Sequence, residues 1–231
     1  MTDAEDKELW EYHYSENLKY VRWWPDSIAI KFFGRLSKNT SLSGKKALDI
    51  GCGGGKDLLL FLKMGMKAYG IEISEAAIKV ANNYLKNWGE SSEIGLYEGK
   101  DIPYPDEYFD FSTSMGVLDH MLFPHALKLI KEIHRVLKPG GYICASLHSV
   151  YDSDYGKGRQ IESNTYLIEQ REFEVGLPQH YYDEGDILKL FEPFKIEQVY
   201  IEEEKRHDLE VKSTLSQSSS WGIYAKKGVE K

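Results

Sequence analysis

Apolar positions from residue 26 onward fall into short runs that switch between a helical and a strand period. Ala29, Phe32, Phe33 and Leu36 recur at helix spacing behind Pro25, with Asp26 and Ser27 as cap residues. "KALDI" at 46–50 reads as a buried strand and "KDLLLFLKM" as a buried helix closed by Gly65. "KAYGIE" is a second strand. Ser74 then caps a helix whose Ile78, Ala81, Leu85 and Trp88 share one face. "IGLYEG" and "YFDFSTSM" read as the third and fourth strands. "ALKLIKEIHRVL" puts Ala126, Leu129, Ile130, Ile133 and Leu137 on one stripe, with "KPGG" as its stop signal and "YICASL" as the fifth strand.

Strands and helices that alternate through short connections make βαβ units, and these predict an α/β fold: a doubly wound, mostly parallel sheet with helices on both faces. Residues 151–180 break the rhythm; they are polar, carry Gly156, Gly158 and Gly176, and lack helix periodicity. Order resumes with "EGDILKLF", "KIEQVYIEE" and "WGIYAKK". The last two pair as a hairpin-like end to the sheet, joined through polar residues 204–219. The expected organisation is a helical lid or substrate region at 1–45 and a ligand-binding core at 46–231, with 151–180 as a substrate-side insert.

Composition narrows the function classes. The 231 residues, 42% hydrophobic, suit one ordinary domain. A formal net charge of −8 argues against nucleic acid or an anionic membrane as partner, because phosphate contact wants a basic face. No apolar run reaches transmembrane length. Two cysteines, Cys52 and Cys144, are too few for a disulfide framework, and the start "MTDAEDKELW" is unlike a signal peptide. The expected setting is the cytoplasm, and the expected state a monomer or homodimer.

The chemistry concentrates in "ALDIGCGGGKD" at 47–57, where four glycines occupy five positions between the first strand and the first helix of the alternating region. That is the carboxyl end of a sheet strand, where ligands of open α/β folds bind, and free N–H groups of a helix start lie beside it. A dinucleotide loop needs G-x-G-x-x-G/A, and counting from Gly51 or Gly53 lands on Lys56 or Leu58. A P-loop fails twice: Ile50 stands at its first glycine and Asp57 follows Lys56. The remaining pattern is Asp49-x-Gly51-x-Gly53-x-Gly55.

That pattern resembles motif I of the class I S-adenosylmethionine (SAM)-dependent methyltransferases. Glu72 in "YGIEIS", Asp101 in "EGKDIPYPDEYFD", "MGVLDHM" and "RVLKPGGYI" match further segments of that superfamily in the same order. Downstream, "GKGRQIESNTY" and "GLPQHYYDEGDILKLF" resemble a bacterial methyltransferase group (types 11 and 25). Tyr166 stands for its Phe, and Gln179-His180-Tyr181-Tyr182 for its His-His-Phe-Phe, departures on the substrate side. The resemblance implies a Rossmann-like sheet of seven strands with an antiparallel C-terminal strand, SAM as cofactor, and a small-molecule methyl acceptor. It implies Glu72 on the ribose hydroxyls, Asp101 on the adenine amine with Ile102 beside it, main chain of Gly51, Cys52 and Gly53 along the methionine tail, and Ile73 among the cofactor-binding residues. Asp49 would orient the loop or meet the tail's amine, and Met115 and Gly116 would line the sulfonium end.

Physical chemistry adds further candidates. His120 and His148 follow the fourth and fifth strands and suit proton acceptance near neutral pH, His120 preferred, against plain packing as the bland account. Arg22 suits bidentate binding of the SAM carboxylate, and Trp23 and Trp24 a lid. His180, Tyr181 and Tyr182 are expected at an acceptor pocket wall, with a helix-entry staple as the rival reading; Asn164 and Glu162 bind substrate or hold their loop. No Cys/His cluster has metal spacing. The leading expectation is methyl transfer to an O or N atom of a small molecule. The alternative is a non-catalytic SAM- or S-adenosylhomocysteine (SAH)-binding regulatory module. A nucleic-acid methyltransferase is opposed by charge and by the absence of (N/D)-P-P-(Y/F) after the fourth strand.

Overall fold

The computed structural model describes residues 3–16, 21–99, 101–169, 174–208 and 213–229. Its elements in chain order are α1 (Asp3–Glu16), α2 (Ser27–Leu36), β1 (Lys46–Ile50), α3 (Lys56–Lys63), β2 (Lys67–Glu72), α4 (Glu75–Asn87), β3 (Glu93–Leu96) and β4 (Phe109–Met115). There follow α5 (Phe123–Val136), β5 (Leu137–His148), β6 (Arg159–Glu162), β7 (Thr165–Leu167), β8 (Pro178–His180), α6 (Glu184–Leu190), β9 (Phe194–Asp208) and β10 (Ser213–Lys227).

Seven strands form one sheet in the order β3-β2-β1-β4-β5-β10-β9. Pairing is parallel from β3 through β5, whereas β10 runs antiparallel to both β5 and β9. This is the doubly wound, Rossmann-like sheet with an antiparallel last strand. Two apolar layers cover it, and strand residues alternate between them. Leu48 and Ile50 of β1, Ile143, Ala145 and Leu147 of β5, and Trp221 and Ile223 of β10 join Leu129, Ile130 and Ile133 of α5 and Ile187 of α6. Ala47, Cys144 and Tyr224 face the other way, onto Phe32 and Phe33 of α2 and Leu58 and Phe61 of α3. Strand order reverses between β1 and β4, so their carboxyl ends open a crevice there.

Several elements differ from the sequence reading. The Asp26 carboxylate caps α2 by accepting from Ile28 N–H (2.9 Å), and Phe32 and Phe33 are wholly buried on the sheet. Within 1–45, α2 packs on the core, while Ser27 and Ile28 at its start line the crevice together with Arg22, Asp26 and residues of α1. On α4 the buried stripe is Ala76, Ala77, Ala81 and Leu85; Ile78 is half-buried and Trp88 is 50% exposed, because the helix sits close to the sheet on small residues. The "KPGG" segment ends α5 and also loops out of β5: Leu137 pairs with Phe109 and Tyr142 with Phe111, leaving 138–141 as a bulge. The irregular 151–180 stretch contains an antiparallel three-stranded sheet, β6-β7-β8. Its strands of three or four residues are too short to show a period. β9 and β10 run on through most of the expected 204–219 connection; residues 209–212 of it lie outside the described residues. Among the described residues no helix is long and apolar enough to cross a membrane.

Candidate active site

The glycine loop is shaped by the end of β1. Cys52 N–H donates to Ile71 O (3.1 Å), extending the β1–β2 ladder by one step, and Gly55 N–H closes a tight turn on Cys52 O (2.9 Å). Gly51 has φ 62° and Gly53 φ 49°, left-handed values that L side chains adopt at a cost. Space forbids side chains as well. A Cβ on Gly51 would lie 2.5 Å from Val117 Cγ2, and one on Gly53 would lie 2.3 Å from Tyr14 Oη. The loop thus leaves bare main chain facing a cleft of about 1240 Å³.

Glu72 closes β2 at the cleft wall and is buried. Its carboxylate accepts from Gly53 N–H (2.9 Å), Ile73 N–H (2.8 Å) and Ser74 N–H (3.0 Å), so it ties the glycine loop to the start of α4. Burial pushes its pKa up, and those three donors oppose the shift. Gly51, Cys52, Gly53, Glu72, Ile73, Asp101, Met115, Gly116 and Arg22 all line the cleft, as do His120 and His148.

The remaining expected residues lie elsewhere. Asp49 is not on the cleft wall; it is buried beneath the loop, where it accepts from Thr113 Oγ1 (2.7 Å). Burial, with Asp57 adding to it, pushes the Asp49 carboxyl well above the usual carboxylate range. Its placement suits loop orientation rather than contact with a ligand amine. Ile102 is buried, and its N–H, expected to face the adenine, donates to Glu132 Oε2 (2.9 Å). Trp23 tilts against Tyr84, whose hydroxyl donates to Trp23 O (2.7 Å), and Trp24 is 78% exposed; neither lines the cleft. His180, Tyr181 and Tyr182, expected on an acceptor wall, are buried behind it. His180 pairs with Thr165 Oγ1 (2.7 Å) and stacks on Phe123, and burial lowers its pKa. Tyr182 donates to Leu118 O (2.9 Å) and its own carbonyl accepts from Trp221 Nε1 (2.8 Å). Tyr181 packs edge-on to His148. Asn164, at φ 57°, holds its loop through Tyr155 Oη and Asp186 Oδ2; Glu162 is half-buried in β6 and does not line the cleft.

Sequence reasoning missed the groups that hold these parts in place. Glu132 and Arg135 on α5 pin the 101–106 loop: Arg135 donates to the carbonyls of Ile102 (2.9 Å) and Tyr104 (3.0 Å) and to Asp106 (2.7 Å). A Glu and an Arg three apart on one helix were the legible signal. Asp119 accepts from His148 N–H (2.9 Å), and Asp152 lies 3.7 Å from His148 Nδ1, an ion-pair separation. Asp152 is itself held by the N–H groups of Asp154 and Ser219. His120, in a 3₁₀ turn at Leu118–His120, has Nδ1 3.2 Å from Pro178 O. A carbonyl only accepts, so the proton belongs on Nδ1 and Nε2 is the basic nitrogen. From α1, Trp10, His13 and Tyr14 also line the cleft; the aromatic run "WEYHY" carried that signal.

The site thus combines a glycine cradle, a carboxylate at the end of the next strand and a doubly wound sheet with its last strand reversed. Residues 48–145 match the methyltransferase domain family model. The chain is 33% identical over 132 residues to a ubiquinone biosynthesis O-methyltransferase of Thiobacillus denitrificans, covering 53% of this chain and 56% of that protein. It is 32% identical over 118 residues to a chloroplastic tocopherol O-methyltransferase of Arabidopsis thaliana, covering 50% and 33%. The chain thus spans about half, or less, of the length of the curated relatives it matches. A SAM-dependent methyltransferase from Methanosarcina mazei superposes with a TM-score of 0.67 over 81% of this chain and 94% of its own; at 24% identity that likeness speaks for the fold alone. Residues 48–145 are thus similar in sequence to methyltransferase domains, and the sheet shares their fold.

Proposed function

We propose that this protein transfers the methyl group of SAM to a hydroxyl oxygen of a small molecule, with His120 as the proton acceptor. The observation that carries the reading is that one cleft gathers the bare glycine loop, the Glu72 carboxylate and a histidine whose Nδ1 is committed to a carbonyl. The donor set suits SAM: Glu72 for ribose hydroxyls, Asp101 for the adenine amine, main chain of 51–53 for the tail, and Met115 and Gly116 at the sulfonium end. Bound SAM supplies an electrophilic methyl on a good leaving group. The chain's own residues align acceptor and cofactor and exclude water, effects worth up to roughly 7–11 kcal/mol when orientation is good. A hydroxyl keeps its proton near neutral pH, so a base within reach speeds its attack, and Nε2 of His120 takes that proton. His148, backed by Asp152, is the second candidate for the same task.

The relatives' names favour oxygen over nitrogen as the acceptor atom. We read α1 as the lid and 151–180 as the substrate side, since Pro178 O anchors His120. Two free, buried cysteines and the acidic balance support a reducing, cytoplasmic setting and a partner other than nucleic acid. Titration calorimetry with SAM, SAH and NAD tests the cofactor: both sulfur ligands should bind and NAD should not, and binding of NAD alone overturns the reading. Transfer of isotope-labelled methyl from SAM to a panel of phenols and alcohols tests the reaction. His120→Gln should cut turnover on any acceptor found about 10²-fold or more while SAH affinity stays put. Unchanged turnover removes His120 as the base.

A further inference from the structure

α1 is an unusual roof. Over Asp3–Glu16 its apolar residues are few and scattered, so it has no continuous stripe to bury. A helix of this length gains little by itself in water and docks through what its inward face touches. Here the inward groups are polar or amphipathic. The Glu11 carboxylate accepts from Ser74 Oγ (2.7 Å) and from Ala76 N–H (3.1 Å), capping α4 beside the Glu72 carboxylate. Hydrogen bonding to Ser74 holds Glu11 below the usual carboxylate range. Trp10 sits edge-on to His120, with ring centroids 5.3 Å apart. Tyr14, half-buried, lays its hydroxyl against Gly53 at the point where the glycine loop leaves bare main chain, and among the described residues that hydroxyl meets no hydrogen-bond partner.

We propose that the Tyr14 hydroxyl is a hydrogen-bond donor to the carboxylate of the cofactor's amino-acid tail, closing the cleft over that tail from the α1 side. The proposal rests on the reading of the cleft as a SAM site. Burial, with the Glu72 charge adding to it, pushes the Tyr14 phenol far above its ordinary value, so it keeps its proton at any working pH. A phenol that cannot ionise is a donor to an anion and carries no charge to repel it. Arg22 lies near enough for its charge to be felt at Tyr14. A neutral donor and a cation beside a main-chain cradle suit a carboxylate, whereas the carboxylates at Glu72 and Asp49 do not. Glu11, by clamping α1 to α4, sets the height at which Tyr14 meets the tail.

The test compares two ligands that differ in the tail: SAH, which has the carboxylate, and 5′-methylthioadenosine, which lacks the amino-acid group. Calorimetry is run on the unaltered protein and on Tyr14→Phe, which keeps the ring and its packing. Tyr14→Phe should weaken SAH about tenfold or more and leave 5′-methylthioadenosine within about twofold. Equal SAH affinity in both proteins overturns the proposal. An equal loss for both ligands also overturns it, assigning Tyr14 to the roof's packing. Failure of the unaltered protein to bind SAH removes the SAM reading itself, and the proposal with it. Glu11→Gln, which keeps one accepting oxygen, should weaken SAH less than Tyr14→Phe does; a larger loss than that of Tyr14→Phe overturns the proposal, assigning the effect to the docking of α1 on α4.

Discussion

Gly51→Ala is the sharpest test of the loop, because two separate costs meet at one atom. The first is conformational: φ 62° is a left-handed value that costs an L-residue roughly 1–2 kcal/mol. The second is steric: the new Cβ would sit 2.5 Å from Val117 Cγ2 and 3.3 Å from Cγ1. Overpacking of this kind costs about 1–3 kcal/mol, since Val117 is packed against the core layer and cannot simply turn away. The sum is about 2–5 kcal/mol. For a domain of this size that lowers the melting temperature by about 4–20 °C. Val117→Ala removes both obstructing methyls. In the double variant the steric part should return, a coupling of about 1–3 kcal/mol, while the backbone part remains. Urea unfolding of the four proteins measures both. A Gly51→Ala loss under about 0.5 kcal/mol refutes the loop conformation, and a coupling near zero refutes the contact with Val117.

Three further outcomes follow from the same geometry. Glu72→Gln replaces one accepting oxygen by an amide donor facing backbone N–H groups, so it should weaken SAH by more than tenfold, about 1.4 kcal/mol or greater, in calorimetry; undiminished affinity would mean that the ribose lies elsewhere. Asp49, its carboxyl raised by burial, holds a proton in the folded state that the unfolded chain has already lost. Stability should therefore fall as pH rises above the ordinary carboxylate value, by at most about 1.4 kcal/mol per pH unit for this group. Asp49→Asn should flatten that fall and stand above the unaltered protein near neutrality, with Asp57 keeping its own share; parallel stability–pH curves from urea unfolding would contradict this. Trp24→Ala, at a side chain 78% exposed and off the cleft wall, should leave SAH affinity within about twofold, and a larger loss would return Trp24 to the lid.

Pattern alone determined the sheet and its ligand edge. The alternating runs from Lys46 to Leu147 are long and regular, and period 2 and period 3.6 are set by backbone geometry whatever the neighbours do. The spacing of Asp49, Gly51, Gly53 and Gly55 was equally legible, because a positive φ is a local constraint that glycine relieves; that Val117 and Tyr14 also close the Cβ space was decided by the fold. What faces the cleft was decided only by tertiary packing. His180, Tyr181 and Tyr182 read as a polar-aromatic wall, yet the end of β8 and the two residues after it lie buried behind it, where His180 Nδ1 meets Thr165 and the Tyr182 hydroxyl meets Leu118 O. Ile102 looked available until α5 brought Glu132 to its N–H. Tyr14 looked like one tyrosine among sixteen, and it took the docking of α1 on α4 to set its hydroxyl over Gly53. A periodicity reports which side of an element is apolar; the partner a polar atom meets depends on chain segments dozens of residues away, and only the folded chain brings those together.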